Sequence, residues 1–323
     1  MTTSAIILND VVKTYAGKGL RKRTTAVKGI SLQVHQGEAF GFIGPNGAGK
    51  SSTIRMLVGL TRPTAGEIAI FGKSAIDPDV RIGVGYVPEN PSLYDYLTPR
   101  EILCMGMKLH RLPQGVVREN CDRWLTRLEL LSVADVSIRT FSKGMMQRVA
   151  IAHALAIQPR LLILDEPLSG LDPVGRRDVV EILSEYKQGG GTLFFSSHVL
   201  HDVERLADRF GLIHQGELQS VQSPAELAGD EEVLVIRSAG NIAIPRMRLD
   251  GPGRWIGEIP RPELWEFLDV LRVSGHRIIE LRPTLSLEMA FLKVVGRSEA
   301  VPTSLGHDNS NISDHGEAND PMS

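Results

Sequence analysis

Residues 44–51 read Gly44-Pro45-Asn46-Gly47-Ala48-Gly49-Lys50-Ser51, and this stretch decides the fold. It fits the phosphate-loop pattern GxxxxGK[ST] in full. An apolar run, Ala39-Phe40-Gly41-Phe42-Ile43, precedes it, and a helical run from Ser52 to Leu60 follows. Strand, glycine loop and helix in that order are the context the pattern needs. The glycines let the backbone curl so that successive N–H groups face one anion. The helix adds the positive end of its dipole. Lys50 is expected to reach the β- and γ-phosphates of a nucleotide, and Ser51 to place its hydroxyl on Mg²⁺. Ser52, next on the helix, completes the expected nucleotide-binding stretch.

Two further segments belong with this loop. Leu161-Leu162-Ile163-Leu164 is a short apolar run that ends on Asp165-Glu166. In an open parallel sheet ligands bind at the carboxyl ends of the strands, which is where these carboxylates would stand. Asp165 can bind Mg²⁺, directly or through water. Glu166 points differently and is the candidate base that polarises a water for attack on the γ-phosphate. Thr192-Leu193-Phe194-Phe195 likewise runs into Ser196-Ser197-His198. His198 would share the same rim and donate to the γ-phosphate. Short apolar runs alternating with helical patterns imply an α/β fold built on a parallel sheet.

With these parts in place, the chain resembles the ATP-binding subunit of an ABC transporter, of the exporter-like branch. Phe141-Ser142-Lys143-Gly144-Met145-Met146-Gln147-Arg148 is similar to that family's signature loop, usually LSGGQ. Ser142 and Gly144 match; Lys143 and Met145 depart from it. Ser169-Gly170-Leu171-Asp172 looks like the D-loop, with Ser169 and Asp172 as its functional positions. Tyr15 sits where the family stacks an aromatic ring on adenine. Val84-Gly85-Tyr86-Val87-Pro88-Glu89 resembles the Q-loop, with Glu89 where Gln is usual, so Glu89 joins Ser51 and Asp165 as a metal position. Glu accepts but does not donate unless protonated, which changes the expected metal geometry.

The resemblance implies a P-loop NTPase core with a parallel sheet, antiparallel β and helical subdomains, and a small C-terminal α/β accessory domain. The resemblance covers residues 1 to about 222 and places the ATP-binding domain there, with a helical subdomain at about 90–140; the texture after Ser223 gives the accessory domain at 223–298. It also implies ATP and Mg²⁺ as ligands and ATP hydrolysis as the activity. The implied partners are a transmembrane permease subunit and a second ATP-binding subunit, expected to be an identical copy. Each ATP would lie between one subunit's Lys50 loop and the other's Ser142, Lys143, Gly144 and Met145. The subunit would sit peripherally on the cytoplasmic face of the cell membrane. The segment Leu285-Ser286-Leu287-Glu288-Met289-Ala290-Phe291-Leu292 is similar to an ending common in the exporter branch. A capping box, Thr98-Pro99-Arg100-Glu101, opens a helix beside Tyr94 and Tyr96, near the surface that receives the membrane subunit in the family.

Composition sets the outer bounds. The chain has 323 residues, 23% charged, with a net charge of −2, so bulk charge does not point to a nucleic-acid partner. No apolar run reaches the ~18 residues that suggest a membrane span, and the first residues lack the pattern of a secretory signal. Cys104 and Cys121 are the only cysteines and read as two reduced thiols. Lys18, Arg21, Lys22 and Arg23 form a basic cluster that reads as a solvated loop. Ser223-Pro224-Ala225-Glu226 reads as a fresh helix start. Beyond it the texture is strand (233–236), strand (254–259), helix with Leu264, Phe267, Leu268 and Leu271 on one face, strand (277–281) and closing helix (287–295). Residues 299–323 read as a disordered polar tail. Two other readings remain open here: an ABC ATPase acting on ribosomes or DNA, and a P-loop kinase. The first usually carries two ATP-binding cores or an inserted coiled coil. The second has no use for the signature and D-loop segments.

Overall fold

The computed structural model describes residues 3–17, 23–224, 226 and 233–283. In chain order the main elements are β1 (Ser4–Tyr15), β2 (Thr24–His35), β3 (Ala39–Ile43), α1 (Lys50–Leu57), β4 (Ala65–Ile70), β5 (Lys73–Ser74) and β6 (Val84–Val87). There follow α2 (Pro99–Leu109), α3 (Gln114–Arg127), α4 (Lys143–Ala156), β7 (Leu161–Leu164), α5 (Pro173–Gln188), β8 (Thr192–Ser197), α6 (Leu200–Leu206), β9 (Arg209–His214) and β10 (Glu217–Gln222). The last group is β11 (Val233–Ala239), β12 (Met247–Leu249), β13 (Arg254–Pro260), α7 (Leu264–Val273) and β14 (Arg277–Pro283).

The central sheet has the order β10-β9-β3-β8-β7-β6 and is parallel except for the β9–β10 pair. Strands β3, β7 and β8 are buried along their whole length, as the apolar runs require. Alternate residues feed two cores. Leu162, Leu164, Leu193 and Phe195 pack with residues of the helical layer. Leu161, Ile163, Phe194, Phe40 and Phe42 pack against the antiparallel sheet β2-β1-β4-β5 and α1. Phe40 and Phe194 stack at 5.8 Å between ring centroids. The central sheet is thus held between a β layer and a helical layer. The register pairs Ile43 with Ser197 and Leu164 with Phe195. The chain therefore leaves β3, β7 and β8 at one rim, carrying Gly44, Asp165 and Ser197–His198 together.

Local chemistry explains the helix ends. Thr98 accepts a hydrogen bond from Glu101 N, and the Glu101 side chain accepts from Thr98 N, completing the expected capping box. Ser223 and Glu226 form the same reciprocal pair. Helix α1 starts at Lys50 rather than Ser52, because Gly49 in the left-handed region caps it directly. Helix α4 starts at Lys143, with Ser142 as its cap.

A third sheet, β12-β13-β11-β14, is wholly antiparallel. Leu271 of α7 packs with Ile236, Ile244 and Ile259, and Leu264, Phe267 and Leu268 flank this cluster. The sequence pattern missed β12, a strand of only three residues. The closing helix at 287–295, the segment 285–292, the tail at 299–323 and Lys18, Arg21 and Lys22 lie outside the described residues.

Candidate functional site

The phosphate loop is threaded between β2 and β9 with no room for side chains at two of its glycines. A Cβ on Gly44 would stand 2.3 Å from Ile213 O, and one on Gly49 would stand 2.5 Å from Ala26 O. Gly49 also has φ +114°, a conformation that suits glycine alone. The loop's own lysine closes it. Lys50 is buried, donates to Gly44 O at 2.6 Å, and lies 3.3 Å from Glu166 Oε1. A cavity of about 410 Å³ opens at this point, lined by Pro45, Asn46, Lys50, Ser51, Glu89 and Glu166 among others. Ser52 lines it as well and accepts a hydrogen bond from Tyr15 Oη at 3.3 Å. Tyr15 therefore borders α1, with Lys13 Nζ 5.1 Å from its ring centroid, and is not among the residues of the cavity wall.

Ser196 organises the carboxylates. Its hydroxyl donates to Asp165 Oδ1 at 2.7 Å and accepts from Glu166 N at 3.0 Å. Glu166 adopts φ +51°, an uncommon conformation for a side-chain-bearing residue. Glu166 Oε2 meets His198 Nδ1 at 2.8 Å. An ionised carboxylate only accepts, so Nδ1 carries the hydrogen of this bond. Both carboxylates are buried, and Lys50 lies 3.3 Å from that of Glu166. Burial, followed by the Asp165 charge, pushes the neighbouring Tyr86 phenol above its ordinary pKa.

Among the described residues no three His, Cys, Asp or Glu side chains converge as a metal cage. Ser51 and Glu89 line the cavity at the phosphate cradle, and Asp165 follows β7 at the same rim. A hydroxyl with one or two carboxylates is the kind of donor set that fits Mg²⁺, which completes its shell with water and substrate phosphates.

The signature and D-loop segments meet each other elsewhere. Ser142 caps α4 by accepting from Met145 N at 3.3 Å and is exposed. The Lys143 stem lies on Gly170: a Cβ there would be 2.8 Å from Lys143 Cδ. A Cβ on Gly144 would stand 3.4 Å from Gly170 O. Asp172 caps α5 through Gly175 N at 3.0 Å, and Ser169 N donates to Glu166 O at 3.0 Å. None of Ser142, Lys143, Gly144 and Met145 lines the 410 Å³ cavity.

A family model described as ABC transporter matches residues 27–169. An uncharacterized ABC transporter ATP-binding protein of Nostoc sp. is 38% identical over 309 residues, covering 92% of this chain and 92% of its own. This chain belongs to the ABC transporter ATP-binding family. The linearmycin resistance ATP-binding protein LnrL of Bacillus subtilis is 36% identical over 225 residues, covering 68% of this chain and 72% of its own. A solved dimeric ATP-binding cassette, in a post-hydrolysis state bound to ADP and Pi, matches with a TM-score of 0.62. That likeness is at 26% identity and covers 68% of this chain and 98% of that one. The protein is accordingly an ABC-type ATPase, the ATP-binding subunit of a transporter.

Within this ATPase the structure adds residues to which the sequence reading gave no role. Ser196 is one; it was visible only as a polar strand end. Gln147 is another. It is fully buried on α4 and donates to Pro167 O at 2.9 Å, tying the signature helix to the turn after Glu166. A polar residue amid the apolar face of α4 was its available signal. Arg176 is the third, donating to Leu168 O at 3.2 Å and approaching Asp202 Oδ2 at 3.8 Å.

Proposed function

We propose that this subunit powers export through a separate membrane-spanning partner, as one of two identical subunits that close head-to-tail on ATP. One observation carries the reading: the signature loop is shaped and capped as an anion-facing helix start, yet it stands outside its own chain's phosphate cavity. A site split in this way is complete only when a second copy supplies Ser142 and Gly144. The dimeric cassette among its structural neighbours supports that arrangement. The resistance role in the name of the Bacillus subtilis relative supports export. Among the described residues no helix is long and apolar enough to cross a membrane, so transport calls for a partner that spans it. Tyr94 and Tyr96, 58% and 70% exposed with rings 5.8 Å apart, offer a surface for that partner. The subunit would then sit on the cytoplasmic face. In this reading residues 1–222 form the ATP-binding domain and 223–298 an accessory domain, followed by a tail at 299–323.

The side chains divide the chemistry. Lys50 and the loop N–H groups bind the β- and γ-phosphates, and Tyr15 lies alongside for the base. Ser51, Asp165 and Glu89 would hold Mg²⁺, which neutralises charge on the phosphate oxygens when bound. Glu166 takes the proton of the attacking water. His198 holds Glu166 Oε2 through Nδ1–H and fixes where that carboxylate points. Lys50 now occupies Gly44 O and Glu166 Oε1, so phosphate binding would draw the lysine away and free Glu166 for water. Loss of the γ-phosphate removes the cross-subunit contacts of Ser142 and Gly144, and the pair opens.

Glu166→Gln tests this directly. Hydrolysis is expected to fall by about 10²–10⁴-fold. The variant is expected to run as a dimer on a sizing column with MgATP and as a monomer with ADP. A monomer at saturating ATP would sink the two-subunit site.

A further inference from the structure

A second cavity, of about 510 Å³, lies at the opposite rim of the central sheet and is not used by the ATPase reading. Gln36 leads into β3, Arg160 into β7, and Thr192 opens β8, so this cavity faces the amino ends of the strands that carry the phosphate site at their carboxyl ends. It shares no lining residue with the nucleotide cavity.

Its walls combine aromatic rings with unneutralised positive charge. Trp124 and Arg123 come from α3, Tyr186 from α5, Phe71 from the turn after β4, and Arg160 from the turn before β7. The Arg160 guanidinium lies 4.4 Å from the Phe71 ring centroid, and that of Arg123 lies 5.4 Å from the Trp124 ring centroid. Cation–π contacts of this kind leave guanidinium N–H groups for an anion. Among the described residues neither Arg123 nor Arg160 forms an ion pair with a carboxylate. The one carboxylate in the lining, Glu185, is held by Arg127 at 2.8 Å. The floor is fixed, since Tyr186 Oη donates to Pro159 O at 3.1 Å and lies 3.2 Å from Thr192 O. The volume falls in the range of small-molecule sites, about 300–1,000 Å³.

We propose that this cavity is a second ligand site, which takes a small organic anion carrying a planar ring. The ring would lie against Trp124 or Tyr186, and a phosphate or sulfonate group would pair with Arg123 and Arg160. A bound ligand would bridge α3 to the turns before β7 and β8, linking the helical layer to the sheet away from ATP.

The test uses the full-length protein with Trp255→Phe and Trp265→Phe, which leaves Trp124 as its only tryptophan. The probe is 2-naphthyl phosphate, with 2-naphthol and inorganic phosphate as controls lacking the anion or the ring. Quenching of Trp124 fluorescence is expected with the probe, weakened at least tenfold with either control. Arg123→Ala with Arg160→Ala is expected to raise the probe Kd by about tenfold or more, as loss of charge-assisted hydrogen bonds implies. ATP affinity and the circular dichroism spectrum are expected to stay unchanged in that variant. No quenching, quenching that survives the double substitution, or displacement of the probe by ATP that Lys50→Ala abolishes would each overturn the proposal. The last outcome would place the probe in the phosphate loop.

Discussion

The phosphate loop and the signature loop are both anion-facing starts of helices, and they are built in opposite ways. The first is closed by its own chain. Lys50 folds onto Gly44 O, Glu166 stands 3.3 Å away, and β2 and β9 press on the loop from both sides. The second is open. Ser142 is exposed, Lys143 lies back on Gly170, and neither lines the 410 Å³ cavity. A site that completes itself needs only its ligand. A site left open at a capped helix start is half of something, and the dimeric reading follows from that difference.

Lys50→Ala attacks the closed half, and the largest effect is expected there. The ammonium lies 3.3 Å from the buried Glu166 Oε1, so its loss is expected to remove phosphate binding and to leave that oxygen without its cation, with His198 still on Oε2. ATP affinity and hydrolysis are expected to fall together, by about 10²–10³-fold or more for an electrostatic contact of this kind. Isothermal titration with ATP checks it, and an unchanged affinity would remove Lys50 from the site.

Gln147→Ala attacks the tether between the halves. It strands the buried Pro167 carbonyl, which costs about 1–3 kcal/mol, and loosens the turn that carries Glu166. Thermal unfolding is expected to shift downward, and kcat is expected to drop with little change in KM. A variant that loses stability alone would reduce Gln147 to a packing residue.

Ser142→Ala attacks the open half. Loss of the cap costs about 1 kcal/mol of helix stability. Nucleotide binding by a single subunit is expected to persist, because Ser142 lies outside the 410 Å³ cavity. Dimerisation of the Glu166→Gln protein on ATP is expected to weaken by about tenfold, read on the same sizing column. Equal dimerisation with and without Ser142 would break the contrast drawn above.

The two loops also differed in how legible they were. The phosphate loop could be read from residues 39–60 alone, because glycine spacing, lysine and flanking patterns all describe one local object. The buried strands were legible for the same reason: Ala39–Ile43 and Leu161–Leu164 are apolar throughout and buried throughout. What stayed hidden was long-range. That Ser196 would bridge Asp165 and Glu166 depends on β7 and β8 being neighbours, which no local pattern states. Glu166 at φ +51° is a tertiary decision as well, since Glu does not favour that conformation by itself. Lys143 looked like a departure from the signature, and the structure gives its stem a seat on Gly170 in the same chain. Strand β12 escaped because three residues are too few to show a period.

The smallest effect separates the two loops by pH. His153 lies on α4, with its ring against Gly106 of α2, where a Cβ would come 2.2 Å from Nε2. Burial, and then the nearby His110, hold its pKa below the ordinary 6.5. Burial lowers that of His110 as well. Above about pH 6.5 the ring is neutral whether the chain is folded or not, so pH has no leverage there. Below it the unfolded chain takes up the proton first, and the unfolded state gains. Stability contributed through His153 is therefore lost as pH falls from 6.5 toward the depressed folded value. Thermal unfolding followed at pH 7, 6 and 5 is expected to show a falling Tm, and His153→Gln to flatten that fall without abolishing it, because His110 remains. The helix that loosens is the one that begins at Ser142, so ATP-driven dimerisation is expected to weaken along with it. A His153→Gln protein whose Tm falls as steeply as before would take His153 out of the account and leave the acid sensitivity to His110 and the carboxylates.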